Sequence, residues 1–313
     1  MTHPATSAPR RGRILVLLAL AGLMVAALQR MDVAQAVARL ATVRVEWLVL
    51  ATLCYASILP LWAIQWHLLA PRASSHRPSD MFGVVALTSA VLNTTPMLVG
   101  EATAVVLLVA RAGLDRASAV SVLAMDQLLV GLAKLVVLSA AALAAPLPDW
   151  MTRALLSLCL VLFALGSSLV IAAWRHADVA GWVSRVLPPR GASAVGAFAS
   201  ALEPLRSAKR GIPALALALL KKAVEVGAIL CVQRAFGVHL PIASAVVVLA
   251  ILNLATLLPI VPGNVGVFEA AVVLSLTGMG IAPELALGIA LVQHLCYFVA
   301  LAAPGLVWVA RDR

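Results

Sequence analysis

The chain has 313 residues, of which 63% are hydrophobic and 12% charged, with a mean hydropathy of +1.04, a composition that excludes a soluble globular domain and places the protein in a bilayer. Its 23 Lys+Arg against 13 Asp+Glu give a net charge of +10, but these basic residues fall mainly in short loops between apolar runs, where they mark a cytoplasmic face and meet anionic headgroups, so nucleic acid is not an expected partner. The longest non-apolar stretch, 175–211, is too short for a catalytic domain, which leaves a single membrane domain over 1–313.

Apolar runs able to span occur at 14–28, 47–70, 117–145, 154–174, 212–236 and 284–310. The first is short, and Arg13 and Arg30 at its ends can snorkel outward; a cleaved signal peptide is the rival reading, since Arg10, Arg11 and Arg13 precede it. The four cysteines, Cys54, Cys159, Cys231 and Cys296, lie in different apolar segments and read as small core residues. The tryptophans, Trp47, Trp62, Trp66, Trp150, Trp174, Trp182 and Trp308, read mostly as interfacial anchors. Residues 192–210 carry helical spacing and a basic end, which suggests a surface helix; a linker interrupted by Pro204 is the alternative.

Two further apolar regions, 81–110 and 241–279, are broken in the middle. The first contains Asn93-Thr94-Thr95-Pro96 and Gly100-Glu101, the second Pro259-Ile260-Val261-Pro262-Gly263-Asn264-Val265-Gly266. Proline removes a backbone donor and glycine permits reversed geometry, so each region predicts two short helical arms around a loop at membrane depth. Kinking of ordinary spanning helices is the competing reading.

Charge counting favours a first region that turns back. With a cytoplasmic N-terminus, 15 Lys/Arg lie inside and five (Arg30, Arg39, Arg44, Arg153 and Arg234) outside; if 81–110 crossed instead, the Arg-rich 175–211 connection would face outward. The C-terminus is then also cytoplasmic, and Pro146 to Asp149 external. The expected fold is an all-α polytopic membrane protein with six spanning helices plus two broken re-entrant hairpins in two inverted halves, 14–145 and 154–310, joined by an external connection at 146–153. Corresponding broken segments in inverted halves point to a transporter's central site.

Glu101, Asp126, Lys134, Lys221, Lys222, Glu225 and Glu269 are ionisable residues inside apolar segments. Each costs at least about 2.5–3.5 kcal/mol at the bilayer centre, so each needs a partner, a wet cavity or a function. The spacings Asp126/Lys134, Lys221/Glu225 and Lys222/Glu225 put charges on shared helical faces and permit internal pairing. Glu101 and Glu269 follow glycine-bearing breaks, where they could bind a ligand or cap their own helix. No HExxH, GxSxG, P-loop or GxGD motif occurs. His67 and His294 stand alone in separate apolar segments and read as packed hydrogen-bonding residues rather than metal ligands.

The run Asn93-Thr94-Thr95-Pro96-Met97-Leu98-Val99-Gly100-Glu101, followed by Arg111-Ala112-Gly113-Leu114, resembles the first half of the lysylphosphatidylglycerol synthase-like transmembrane family. Pro259 to Glu269 is similar to that family's PxxPGGxGxxE signature, and Met125 to Lys134 resembles a branch associated with hopanoid biosynthesis. Two positions depart from the pattern: Ala104 stands where members commonly carry arginine, and Asn264 where the second glycine of PGG is usual. The resemblance implies a flippase-type membrane domain in a bacterial inner membrane. It marks Gly100, Glu101, Pro262, Gly263, Gly266 and Glu269 as functional positions, to which the residue reading adds Asn93, Pro96, Asp126, Lys134, Lys221, Lys222, Glu225 and Asn264.

The chain ends after its last apolar segment, so the expectation is not an enzyme but a translocase for an amphiphilic lipid (phospholipid, glycolipid or hopanoid), with no cofactor and no metal. The alternatives are a non-catalytic scaffold partnering lipid-biosynthesis enzymes and an intramembrane transferase with Glu101 or Glu269 as general base.

Overall fold

A computed structural model describes residues 43–71, 77–95, 99–144, parts of 153–168, 207–256 and 261–311. The described chain is helical, without a strand. Its helices are α1 (Val45–Leu69), α2 (Pro78–Thr94), α3 (Val99–Ala110), α4 (Arg116–Ala144), α5 (Ala208–Ala235), α6 (Ile242–Ala255), α7 (Val267–Thr277) and α8 (Pro283–Arg311), with a 3-10 turn at Pro262–Asn264. The runs expected at 47–70, 117–145, 212–236 and 284–310 are thus α1, α4, α5 and α8. The run at 14–28, the 146–149 connection and most of 192–210 lie outside the described residues, and 154–174 is described only in part, where its residues are helical.

Lys209 and Arg210, expected at the end of a surface segment, instead open α5. Three described helices, α1, α4 and α8, are both long and apolar enough to cross a membrane. At 28 residues α5 is as long, but it carries Lys209, Arg210, Lys221, Lys222, Glu225 and Arg234. Large apolar side chains face outward, including Val49, Leu53 and Ile64 on α1 and Leu291, Leu295 and Val299 on α8, an arrangement that suits lipid.

Both broken regions fold as pairs of short arms that pack on each other, α2 with α3 and α6 with α7. Pro78 opens α2 at a position where its missing donor costs nothing, and Asp80 accepts the Arg77 amide at 3.1 Å. At its end, Asn93, Thr94 and Thr95 donate to the carbonyls of Ser89, Ala90 and Val91 at 2.8, 2.7 and 2.7 Å. Three polar side chains are thereby satisfied without water. In the second hairpin Gly263, Asn264 and Gly266 have φ of 60°, 56° and 86°. Asn264 therefore holds the left-handed geometry that glycine would supply, and asparagine is the side chain that tolerates it; the departure from PGG leaves the backbone path intact.

Bonds and contacts between helices fix which ends lie together. The Arg44 amide bonds the Ala235 carbonyl at 3.0 Å, while Arg210 Nε donates to Leu68 O at 2.9 Å, so α1 and α5 run antiparallel. Trp308 packs on Gly83 and Gly305 on Ala86 and Ala90, which sets the start of α2 at the Arg210 end. Gly288 meets Phe236, which sets the start of α8 at the Ala235 end. The hairpins approach from these two ends and touch at their tips, where a Cβ on Gly263 would lie 2.9 Å from Asn93 O. That contact is near the middle of α8, because Gly263 O is bonded to His294.

Candidate functional site

Beneath the touching tips lies a cavity of about 330 Å³ walled by α1 to α8. Of the residues expected to act, Asn93, Glu101, Asp126, Lys134, Lys221, Lys222, Glu225 and Asn264 line it. Three lysines and three carboxylates from three helices, α3, α4 and α5, thus share one chamber, with formal charge 3 − 3 = 0. Pro96 lies outside the described residues. Gly100, Pro262, Gly263, Gly266 and Glu269 do not line the cavity but shape its roof: Gly100 lets α3 close on Leu92, and the others form the second tip.

The charges sort into paired and unpaired groups. Lys222 Nζ binds both Glu225 oxygens at 2.8 Å and reaches Asn253 Oδ1 at 3.3 Å. Lys221 Nζ lies 4.0 Å from Asp126 Oδ1 and 5.5 Å from the Trp62 ring centroid, a cation held between a carboxylate and an aromatic face. The i,i+3 pair was legible in the spacing, whereas Lys221 has its nearest carboxylate on another helix rather than on its own. Among the described residues Lys134 forms no ion pair or hydrogen bond, and Glu101 Oε2 is buried without a partner. No capping bond from Glu101 occurs among the described residues, and the residues just before α3 lie outside them.

For Glu269 the capping alternative holds: the Gly266 amide donates to Oε2 at 2.7 Å. Its other oxygen lies 2.6 Å from His294 Nδ1, and His294 Nε2 lies 3.0 Å from Gly263 O. His294, which stacks on Phe268 at 4.3 Å, thus bonds the hairpin tip to α8. No group of His, Cys, Asp and Glu able to hold a metal occurs among the described residues. Ala104 is fully buried and away from the cavity, so that position supplies no cation.

Sequence reading missed several cavity residues: Tyr55, Trp62, Ser89, Gln127, Asn253, Thr256 and Tyr297. Trp62 and the fully buried Trp66 point inward, which corrects their assignment as interfacial anchors. An asparagine within the apolar run of α6 was the available signal for Asn253, since an amide there needs a buried partner.

The family model described as "Lysylphosphatidylglycerol synthase TM region" matches residues 13–305. No curated protein and no solved structure matches the chain. The matched span includes both hairpins and every cavity residue, and the chain is a multi-pass membrane protein belonging to the lysylphosphatidylglycerol synthase transmembrane-region family.

Proposed function

We propose that the chain is a lipid translocase: the headgroup of an amphiphile passes through the charged cavity while its tails stay in the surrounding bilayer. The observation that carries this reading is the state of the cavity charges. Four of the six are paired, whereas Lys134 and Glu101 face the chamber without side-chain partners. Unpaired charge within apolar helices is costly unless a ligand or water compensates it. A phosphate suits Lys134, and a cationic or hydroxyl-bearing headgroup suits Glu101.

Support also comes from the plan of the helices. Each half reads long helix, two short arms, long helix, and α2 packs on α8 as α6 packs on α4. We read this as two inverted halves whose hairpins enter from opposite faces, the arrangement of many secondary transporters. Arg77, Lys209 and Arg210 belong to one end and Arg44 and Arg234 to the other. By the positive-inside bias the first end is cytoplasmic, in a bacterial inner membrane.

We assign no catalysis. Of the two glutamates that could serve as base, Glu269 is engaged by Gly266 and His294 and does not line the cavity. Purified protein reconstituted into phosphatidylethanolamine/phosphatidylglycerol vesicles should exchange a fluorescent phospholipid, glycolipid or hopanoid probe between leaflets. Absence of exchange for every probe, with the protein folded, would refute the translocase and favour a scaffold; chemical conversion of a probe would reveal a transferase.

A further inference from the structure

We propose that His294 and Glu269 form a binding site for a single exchangeable proton, which latches the second hairpin to α8 and is released when the hairpin tip opens. The argument rests on donors and acceptors. Gly263 O can only accept, so His294 Nε2, 3.0 Å away, must carry a hydrogen. Glu269 Oε2 is occupied as acceptor by the Gly266 amide at 2.7 Å. A proton on Oε2 would weaken that bond, so a proton on the carboxyl group is favoured on Oε1, which faces Nδ1 at 2.6 Å.

Between Nδ1 and Oε1 there is room for one hydrogen. Imidazolium with carboxylate, and neutral imidazole with carboxylic acid, satisfy the gap equally and contain the same number of protons. Removing that proton sets two acceptors face to face, or takes the hydrogen from Nε2 and sets it against a carbonyl. Adding one places two hydrogens in the 2.6 Å gap. The closed latch therefore favours one proton count.

The surroundings offer little else that titrates. Helix α6 has no ionisable side chain, α7 has Glu269 alone, and α2 has Asp80 at its distant start. From α8 Tyr297 approaches, its ring 6.5 Å from the imidazole. Tyr55 of α1 meets Tyr297 edge-on at 5.4 Å, and Glu225 of α5 lines the same cavity as both phenols. Glu269 keeps 16% of its side chain exposed, and its neighbours Asn264 and Phe268 line the cavity, so the released proton has a route to water.

Linkage sets the pH response. In water an imidazole loses its proton above about pH 6.5 and a carboxylate gains one below about pH 4.3. Between these limits the opened pair holds the same single proton as the latch, and closure is strongest. Above the upper limit closure takes up a proton, so the latch weakens about tenfold per pH unit; below the lower limit closure expels one and weakens likewise. If the chain is a translocase, on which reading this use rests, the proton is its coupling ion.

The test is hydrogen exchange of peptide 261–270 in the full detergent-purified chain, wild type against the double variant His294→Gln/Glu269→Gln, which keeps amide hydrogen bonding and cannot titrate. The expected result is that wild-type exchange, divided by that of the double variant at equal pH, rises about a hundredfold over two pH units above pH 6.5. A constant ratio would overturn the latch. A measurement without variants backs it: ¹⁵N spectra of the six histidines should show one imidazole with both nitrogens proton-bearing or proton-sharing at pH 7.5, and six freely titrating rings would overturn the site. Leaflet exchange of a fluorescent phosphatidylethanolamine, run in parallel, separates the two proposals. No leaflet exchange alongside the expected exchange ratio refutes transport and upholds the latch, whereas leaflet exchange with a constant ratio does the reverse.

Discussion

Replacing Lys134 and Lys222 in turn by methionine separates charges that hold the bundle from charges that await a ligand. The two side chains line the same cavity and differ in their partners. Lys222 is 13% exposed and binds Glu225, 15% exposed, through two 2.8 Å contacts. Its removal leaves a buried carboxylate uncompensated, a loss of about 3–5 kcal/mol. Adding Glu225→Gln should recover most of that, because two neutral groups carry no unmatched charge. Lys134 has no such partner, so Lys134→Met should leave stability unchanged or raise it as the desolvation cost of an unpaired ammonium disappears.

Function should respond in the opposite sense. If Lys134 meets a phosphate during passage, losing that charge-assisted bond is worth about 1.5–3 kcal/mol, or roughly ten- to hundredfold in exchange rate. Stability is read by denaturant titration in detergent, and transport by the vesicle leaflet assay. The reasoning fails if Lys134→Met destabilises as Lys222→Met does and a second neutralisation at Glu101 restores it, because Lys134 would then be a structural partner.

Arg210→Ala should destabilise the chain by about 1.5–3 kcal/mol, since this buried guanidinium donates to Leu68 O and Ala70 O at the C-terminal end of α1; a melt unchanged within error would remove it from the set of helix-end contacts. Gly305→Ala should cost about 1–3 kcal/mol, because its new Cβ would lie against Ala86 O and 2.6 Å from Ala90 Cβ, and thermal inactivation of the detergent-purified protein measures it. For topology, Arg77→Cys and His239→Cys should react with an impermeant maleimide from opposite faces of inverted and right-side-out vesicles; reaction of both from one face would contradict the orientation assigned to the hairpins.

Features set by local chemistry were legible in the sequence. The runs at 47–70 and 284–310 recover α1 and α8 to within two residues, since twenty-odd apolar residues admit few alternatives. The breaks at 93–101 and 259–269 were readable because proline and glycine act on their own backbone. Partners between helices were not. Periodicity places Asp126 and Lys221 on faces of their own helices, but only packing sets them 4.0 Å apart. His294 was similarly opaque, though a buried imidazole and a buried carboxylate both in want of partners were a pair that could have been matched. Tryptophans misled, because the belt rule describes segment ends and Trp62 faces a polar chamber.

The two conspicuous glutamates show how related hairpins can serve different ends. Glu101 and Glu269 are each the third residue of the returning arm, after Val99 and Val267. Opposite Glu269, His294 is the twelfth residue of α8, counted from Pro283; the twelfth residue of α4, counted from Arg116, is Gln127. Where one half has imidazole the other has an amide, and the consequences diverge. Glu269 is spent on Gly266 and His294 and binds its hairpin to α8. Glu101 has no such partner, and it faces the cavity together with Gln127. A carboxylate that closes a latch cannot also bind a headgroup, and one that binds a headgroup cannot be neutralised by its own bundle. On the proposed reading these roles fall to matching positions of the two halves, and the side chains that differ there are the imidazole on α8 and the amide on α4.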